Sequence, residues 1–172
     1  QMIKRTPSRW GGGVSLLWNG VESEKVLKNL FFVGSNSYKN TAYFEFDSAR
    51  NSLFHFLKSL GVGRGDKVAV LLFTCDAVTD AILDLGCEIV FYGCNNQLED
   101  GEILETDGIP RVIIEQVSFG RRSLSDEILQ KYAANGSIII CDKALSYGPN
   151  DFTADVAVKY PTLFSFEVSK SL

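Results

Sequence analysis

At 172 residues with a net charge of −4, the chain can bury the core of one ordinary domain, and it carries no basic stripe that would make nucleic acid its main partner. No apolar run is long enough to cross a bilayer, and Gln1-Met2-Ile3-Lys4-Arg5 has no signal-peptide pattern, so a cytoplasmic protein without a membrane partner is expected. Four cysteines without a Cys-x-x-Cys pair (Cys75, Cys87, Cys94, Cys141) read as free thiols, and one histidine, His55, excludes a zinc site built on several histidines.

Residues 1–42 read as an irregular N-terminal segment, punctuated by Gly11-Gly12-Gly13, Asn19-Gly20 and Gly34-Ser35-Asn36-Ser37. The triple glycine lacks the Lys-Ser/Thr of a phosphate loop and reads as a flexible connection. From residue 43 the pattern becomes regular. Ser48 caps a predicted helix whose apolar face is Leu53, Phe56, Leu57 and Leu60, and Gly61 ends it. His55 falls on the polar side of that helix, which suits a solvated side chain better than a catalytic base. Gly63-Arg64-Gly65-Asp66 is a turn, and Lys67 to Phe73 reads as a strand buried on both faces. A helix over Asp76 to Leu85 ends at Gly86. Strands follow at Glu88 to Tyr92 and Arg111 to Ile114, then a helix over Leu124 to Ala134 with Ser123 as its cap. Further strands are expected at Ser137 to Cys141, Asp155 to Val158 and Thr162 to Phe166. The alternation predicts an α/β fold, a mostly parallel sheet with helices on both faces. Ligands of such sheets bind beyond the carboxyl ends of the strands. There the chain places Thr74, Cys75, Asp142 and the segment from Ser165 to Lys170.

Those residues suit one chemistry in particular. A lysine just past a strand, preceded by a hydroxyl as in Ser165-Phe166-Glu167-Val168-Ser169-Lys170, can form a Schiff base with an aldehyde cofactor while the serine binds its phosphate. An acid such as Asp142, directly after the buried Ile138-Ile139-Ile140-Cys141, can keep a pyridine nitrogen protonated. The helix opening Ser48-Ala49-Arg50-Asn51 offers free N–H groups and the Arg50 charge to a phosphate. Taken singly, each has a bland alternative: a surface lysine, a loop acid, a plain N-cap. A thiol-based reading of Cys75, near a helix start, lacks a resolving cysteine nearby in sequence.

Four stretches, in order, resemble the DegT/DnrJ/StrS family of pyridoxal-phosphate-dependent sugar aminotransferases, members of the aspartate aminotransferase fold (fold type I). Ser48-Ala49-Arg50-Asn51-Ser52-Leu53 is similar to the family's phosphate-binding helix start, and Leu60 to Val68 to its Leu-Gly-x-x-x-Gly-Asp-x-Val turn, followed by Thr74-Cys75. Cys141-Asp142-Lys143-Ala144 resembles its Glu-Asp-x-Ala segment, and Ser165 to Lys170 its Ser-Phe-x-x-x-Lys segment. The resemblance implies pyridoxal 5′-phosphate as cofactor, Lys170 as the Schiff-base lysine and acid/base, and Asp142 as partner of the pyridine nitrogen. It implies that Ser48, Ala49, Arg50 and Ser165 hold the phosphate and that Thr74 and Cys75 line the cofactor face. Its substrates would be an amino-acid donor, glutamate, and a nucleotide-linked keto sugar. Two departures stand out: Cys75 where an aromatic residue often stacks on the ring, and Leu145 where a Gln or His usually contacts the cofactor. They keep open a non-catalytic α/β sensor or a degenerate aminotransferase-like domain. The resemblance also implies that residues 43–172 are the N-terminal part of a cofactor-binding large domain. A glycine-rich segment, a small domain and homodimer contacts would lie beyond, and the 172-residue chain alone would be inactive.

Overall fold

The computed structural model describes residues 14–18, 42–46, 48–103, 108–146 and 160–165. In chain order the elements are β1 (Val14–Trp18), β2 (Ala42–Phe46), α1 (Ala49–Ser59), β3 (Lys67–Leu71), α2 (Asp76–Asp84), β4 (Glu88–Tyr92), β5 (Val112–Ser118), β6 (Arg121–Arg122), α3 (Asp126–Ala134), β7 (Ile138–Leu145) and β8 (Thr162–Ser165). The strands form one sheet in the order β2-β1-β8-β7-β5-β3-β4, with the two-residue β6 paired to β5. Neighbours from β8 through β4 run parallel, and β1 lies antiparallel to both β8 and β2.

Successive side chains of a strand face opposite sides of a sheet, so each central strand supplies two cores. Val68, Val70, Val112, Ile114, Ile140 and Leu163 pack beneath α1 and α2, against Leu53, Phe56, Leu57 and Ile82. Ala69, Leu71, Ile113 and Ile139 face the other way, against Leu129 and Tyr132 of α3. Helices therefore cover both faces of a mostly parallel sheet, the α/β fold that the sequence pattern predicts. Phe56 and Leu57 have no exposed surface, and enclosing each contributes about 1.5–3 kcal/mol. Helix α1 ends as expected, at Leu60 with Gly61 at φ +70°, a conformation a side chain at that position would strain.

The turn after α1 is locked from two sides. Gly63 N donates to Asp66 Oδ2 (2.9 Å), and Arg111 bridges Asp66 Oδ2 (2.6 Å) and the Leu60 carbonyl (3.0 Å).

Several boundaries differ from the sequence reading. Val14–Trp18, inside the segment read as irregular, is a strand. Five residues carry too short a pattern to show periodicity, and both partners lie far away in sequence. Strand β3 leaves the sheet at Leu71, so Leu72 and Phe73, expected to be buried, are exposed. Strands β5 and β7 run four residues beyond their expected ends at Ile114 and Cys141. Helix α3 is capped by Ser125, whose Oγ accepts from Ile128 N (3.3 Å), rather than by Ser123. Ser123 Oγ is engaged instead by the buried Tyr92 hydroxyl (2.9 Å). His55 is half-buried, its ring stacked at 6.2 Å on Phe46 and edge-on to Phe54, rather than solvated. The strand expected over Asp155 to Val158 lies outside the described residues.

Candidate functional site

Strand register fixes which residues meet. Phe46, at the carboxyl end of β2, and Ser165, at the carboxyl end of β8, are both opposite Val14, the first residue of β1. At about 4.8 Å per strand, the ends of β2 and β8 lie about 10 Å apart on one edge of the sheet. On the next strand, Asp142 is in register with Leu163 of β8 on one side and with Gln116 of β5 on the other. Val70, Ile114 and Ile140 share a level, so the chain leaving β3 through Leu72 emerges beside Gln116 and Asp142. Ser48, Ser165, Asp142 and Thr74-Cys75 are thus brought to one end of the sheet. Alternation from Ile114, Ile140 and Leu163 points Gln116, Asp142 and Ser165 to the face carrying α1 and α2.

Each of these groups has a local reason for its place. Ser48 adopts an extended backbone, and its Oγ accepts from Asn51 N (3.2 Å). Helix geometry leaves the N–H groups of Ala49 and Arg50 without an intrahelical acceptor. No acid occupies the first turn of α1, whereas α2 carries Asp76 there and α3 carries Asp126 and Glu127. The positive end of the α1 dipole is therefore not neutralised within its own first turn, which suits an anion. The Arg50 guanidinium is paired with Asp80 of α2 at 2.6 Å, both side chains about half exposed. That pair ties α1 to α2 and engages the Arg50 charge expected to face a phosphate.

Asp142 is 6% exposed and lies within β7 rather than after it, since the strand continues to Leu145; its Oδ1 accepts from Ala144 N (2.9 Å), which fixes the carboxylate. Ser165 is buried at the end of β8. Thr74 N donates to the Leu71 carbonyl (3.0 Å), closing the turn that presents Cys75, an exposed thiol at the start of α2. Lys170 lies outside the described residues. The chain reaches it five residues beyond Ser165.

Sequence reasoning missed the neighbours of Asp142. Glu115 is completely buried, on the opposite face from Gln116. Its carboxylate takes two bonds from Arg122, at 2.7 and 2.9 Å, and one from the Cys141 thiol at 3.2 Å. A two-residue turn, Phe119-Gly120, both at positive φ, returns the chain so that Arg122 meets Glu115. Arg122 also reaches Asp126 at 2.6 Å, and these acids push its ionisation further up. Burial, then the Glu115 charge, push the Cys141 thiol well above its ordinary value, so it stays protonated. Burial likewise raises the Tyr92 hydroxyl, which donates to the Ile114 carbonyl at 3.0 Å. The one signal in the sequence was a charge inside the apolar run Val112-Ile113-Ile114-Glu115.

Gln116 behaves differently. Its Nε2 donates to Ser118 Oγ (2.9 Å), while its Oε1, out of contact with solvent, has no partner. Among the described residues, the other buried side-chain atom in that condition is Ser52 Oγ on α1. Both orphans lie on the α1/α2 side of the sheet. Among the described residues no three His, Cys, Asp or Glu side chains gather as a metal site requires, and no helix is long and apolar enough to cross a membrane.

Neither a protein-family model nor a curated protein matches the chain. Solved structures do. NtdA from Bacillus subtilis, determined with its bound cofactor PMP, superposes at a TM-score of 0.51 with 23% identity, over 59% of this chain and 24% of NtdA. DesV from S. venezuelae, in complex with a ketimine intermediate, matches at a TM-score of 0.48 with 24% identity, over 59% of this chain and 28% of DesV. The chain thus spans about a quarter of the length of each of these two proteins. The likeness to NtdA establishes the fold, the same mostly parallel α/β sheet.

Proposed function

We propose that this chain forms the cofactor-binding sheet of a pyridoxal-phosphate-dependent aminotransferase. The full-length protein would pass an amino group from an amino acid, glutamate, to a nucleotide-linked keto sugar, working as a homodimer. The observation that carries the reading is the buried Asp142 in the carboxyl half of β7, on the face where α1 presents the free N–H groups of Ala49 and Arg50. A carboxylate and an anion cradle on one sheet face, separated by two strands, fit a ligand with a basic nitrogen at one end and a phosphate at the other. The PMP bound in NtdA, a protein sharing this fold, supports the same choice. The resemblance of the four motifs to sugar aminotransferases supports the substrates.

Bound pyridoxal phosphate supplies an aldehyde that condenses with amines and a ring that accepts the electron pair of an adjacent carbanion. The chain's own residues do the rest. Asp142, held by Ala144 N, keeps a proton on the ring nitrogen. The α1 N-terminus, Ser48 and Ser165 bind the phosphate and fix the ring's position. Lys170 would offer its amine to the aldehyde and would then serve as the acid/base of the proton transfer. Thr74 and Cys75 border the site from β3.

Borohydride reduction of the full-length protein loaded with pyridoxal phosphate tests the assignment. The expected result is a cofactor-modified peptide containing Lys170, lost in Lys170→Ala. Covalent fixation that survives Lys170→Ala would contradict it. A second reading, a degenerate relative that binds cofactor without transferring nitrogen, is favoured by Leu145, apolar and 40% exposed where the family resemblance calls for a Gln or His. Cofactor binding without conversion by any amino donor would select that reading.

A further inference from the structure

Gln116 is the described side chain nearest in register to Asp142 on the ligand face that has an unused hydrogen-bonding end. Leaving a buried amide oxygen unpaired costs roughly 1–3 kcal/mol. Reversing the amide does not remove the problem. Ser118 Oγ can donate as well as accept, so the flip would pair Oε1 and orphan Nε2 instead. Either way one end of the amide is committed to Ser118 and the other is left for something that the chain does not supply. The polar residues one position earlier, Glu115 and Cys141, satisfy each other on the opposite face. The orphan is specific to the Asp142 side.

We infer that the free end of the Gln116 amide binds the ring hydroxyl of pyridoxal phosphate, an inference that rests on the proposed cofactor reading. The chemistry of the ligand assigns the atom. Around the ring, the nitrogen lies opposite the carbon bearing the aldehyde, and the phosphate arm and the hydroxyl fall on opposite sides of that axis. With the nitrogen at Asp142 on β7, the phosphate arm extends toward Ser165 and the α1 start, on the β8 and β2 side. The hydroxyl then falls on the β5 side, where Gln116 stands in register with Asp142. Because the free end can be oxygen or NH2, the amide serves the hydroxyl as acceptor or its ionised form as donor.

The test compares pyridoxine 5′-phosphate with its 3-deoxy analogue, neither of which has an aldehyde to react with a lysine. Affinities are measured on the full-length protein and on Gln116→Met and Gln116→Asn. The wild type is expected to bind the hydroxylated compound about tenfold more tightly, the worth of one hydrogen bond between partly desolvated groups. Both variants should bind the two compounds alike. Gln116→Met removes the orphaned Oε1 but also the bond to the buried Ser118 Oγ, so ligand-free stability should fall; a structural role alone would weaken both compounds equally, whereas a ligand contact removes the difference between them. A tenfold preference retained in both variants, or an equal loss for both compounds, would overturn the inference while leaving the cofactor reading intact. Wild type that binds neither compound and is not labelled by pyridoxal phosphate and borohydride would overturn the cofactor reading, and this inference with it.

Discussion

The two faces of the sheet carry polar residues at the same level and treat them in opposite ways. On the α3 face, Glu115 is hydrogen-bonded to Arg122 and Cys141, and Tyr92 to Ser123, and no buried side-chain atom among these residues lacks a partner. On the α1/α2 face, one residue further along the same two strands, the Gln116 amide keeps an orphaned end in register with Asp142, and α1 opens on that face without acids in its first turn. A polar network that closes on itself holds the protein together. One that does not close leaves a hydrogen-bonding end unused, as at Gln116. Residues that are neighbours in sequence, Glu115 with Gln116 and Cys141 with Asp142, therefore take different work because alternation sends them to different sides.

The largest expected effect breaks the ligand face alone. Asp142→Asn keeps an acceptor for Ala144 N but removes the charge, so ligand-free stability should change by less than about 1 kcal/mol. The amino-donor half-reaction, followed by absorbance, should slow by roughly 10²–10³-fold, as when one preorganised electrostatic partner is lost. A rate within threefold of wild type would place the ring nitrogen elsewhere.

The converse change breaks the closed face. Arg122→Met leaves Glu115, which has no exposed surface, without its cation. Losing one partner of a buried pair costs about 3–5 kcal/mol, and the 39% exposure of the Arg122 side chain discounts this to about 2–3 kcal/mol in urea unfolding. Adding Glu115→Leu should recover most of that loss, and affinity for pyridoxine 5′-phosphate should stay within about threefold throughout. A large loss of affinity without a loss of stability would mean that the two faces are not separate.

A smaller effect follows from pH. The Cys141 thiol, ordinarily ionising at 9.0, is raised in the folded protein by burial and Glu115. Above pH 9.0 the unfolded chain therefore holds fewer protons than the folded one, and stability falls as pH rises. The contribution is at most about 1.4 kcal/mol per pH unit for one group, and Cys141→Ala should flatten the alkaline limb by that amount. Cys87, raised by burial and by Asp66, adds a second component of the same sign. An alkaline limb unchanged in Cys141→Ala would show that the thiol does not ionise with unfolding.

How much of this could be read beforehand depended on whether the cause was local. Helices α1 and α2 were legible because Ser48, Gly61 and Gly86 act within a few residues of the apolar faces they bound. The buried strands showed as apolar runs, although β7 continues past Asp142 to Leu145 and β3 stops at Leu71. Ser48, Asp142 and Ser165 lie toward one end of the sheet. Strand β1 was not legible, since Val14–Trp18 is defined by partners at Ala42–Phe46 and Thr162–Ser165. The start of α3 was misplaced because Ser123 and Ser125 are equally good caps in sequence, and only the packing of Tyr92 distinguishes them. Nothing local marked Gln116, whose significance lies in a bond that it does not make.

Hydrogen exchange of the full-length protein, with and without pyridoxal 5′-phosphate, tests the division of the sheet most directly. The account predicts slowed exchange in peptides covering residues 48–53 and 142–146, with no change in the peptide covering 121–134 on the opposite face. Protection confined to 121–134, or none in either group at saturating cofactor, would contradict it.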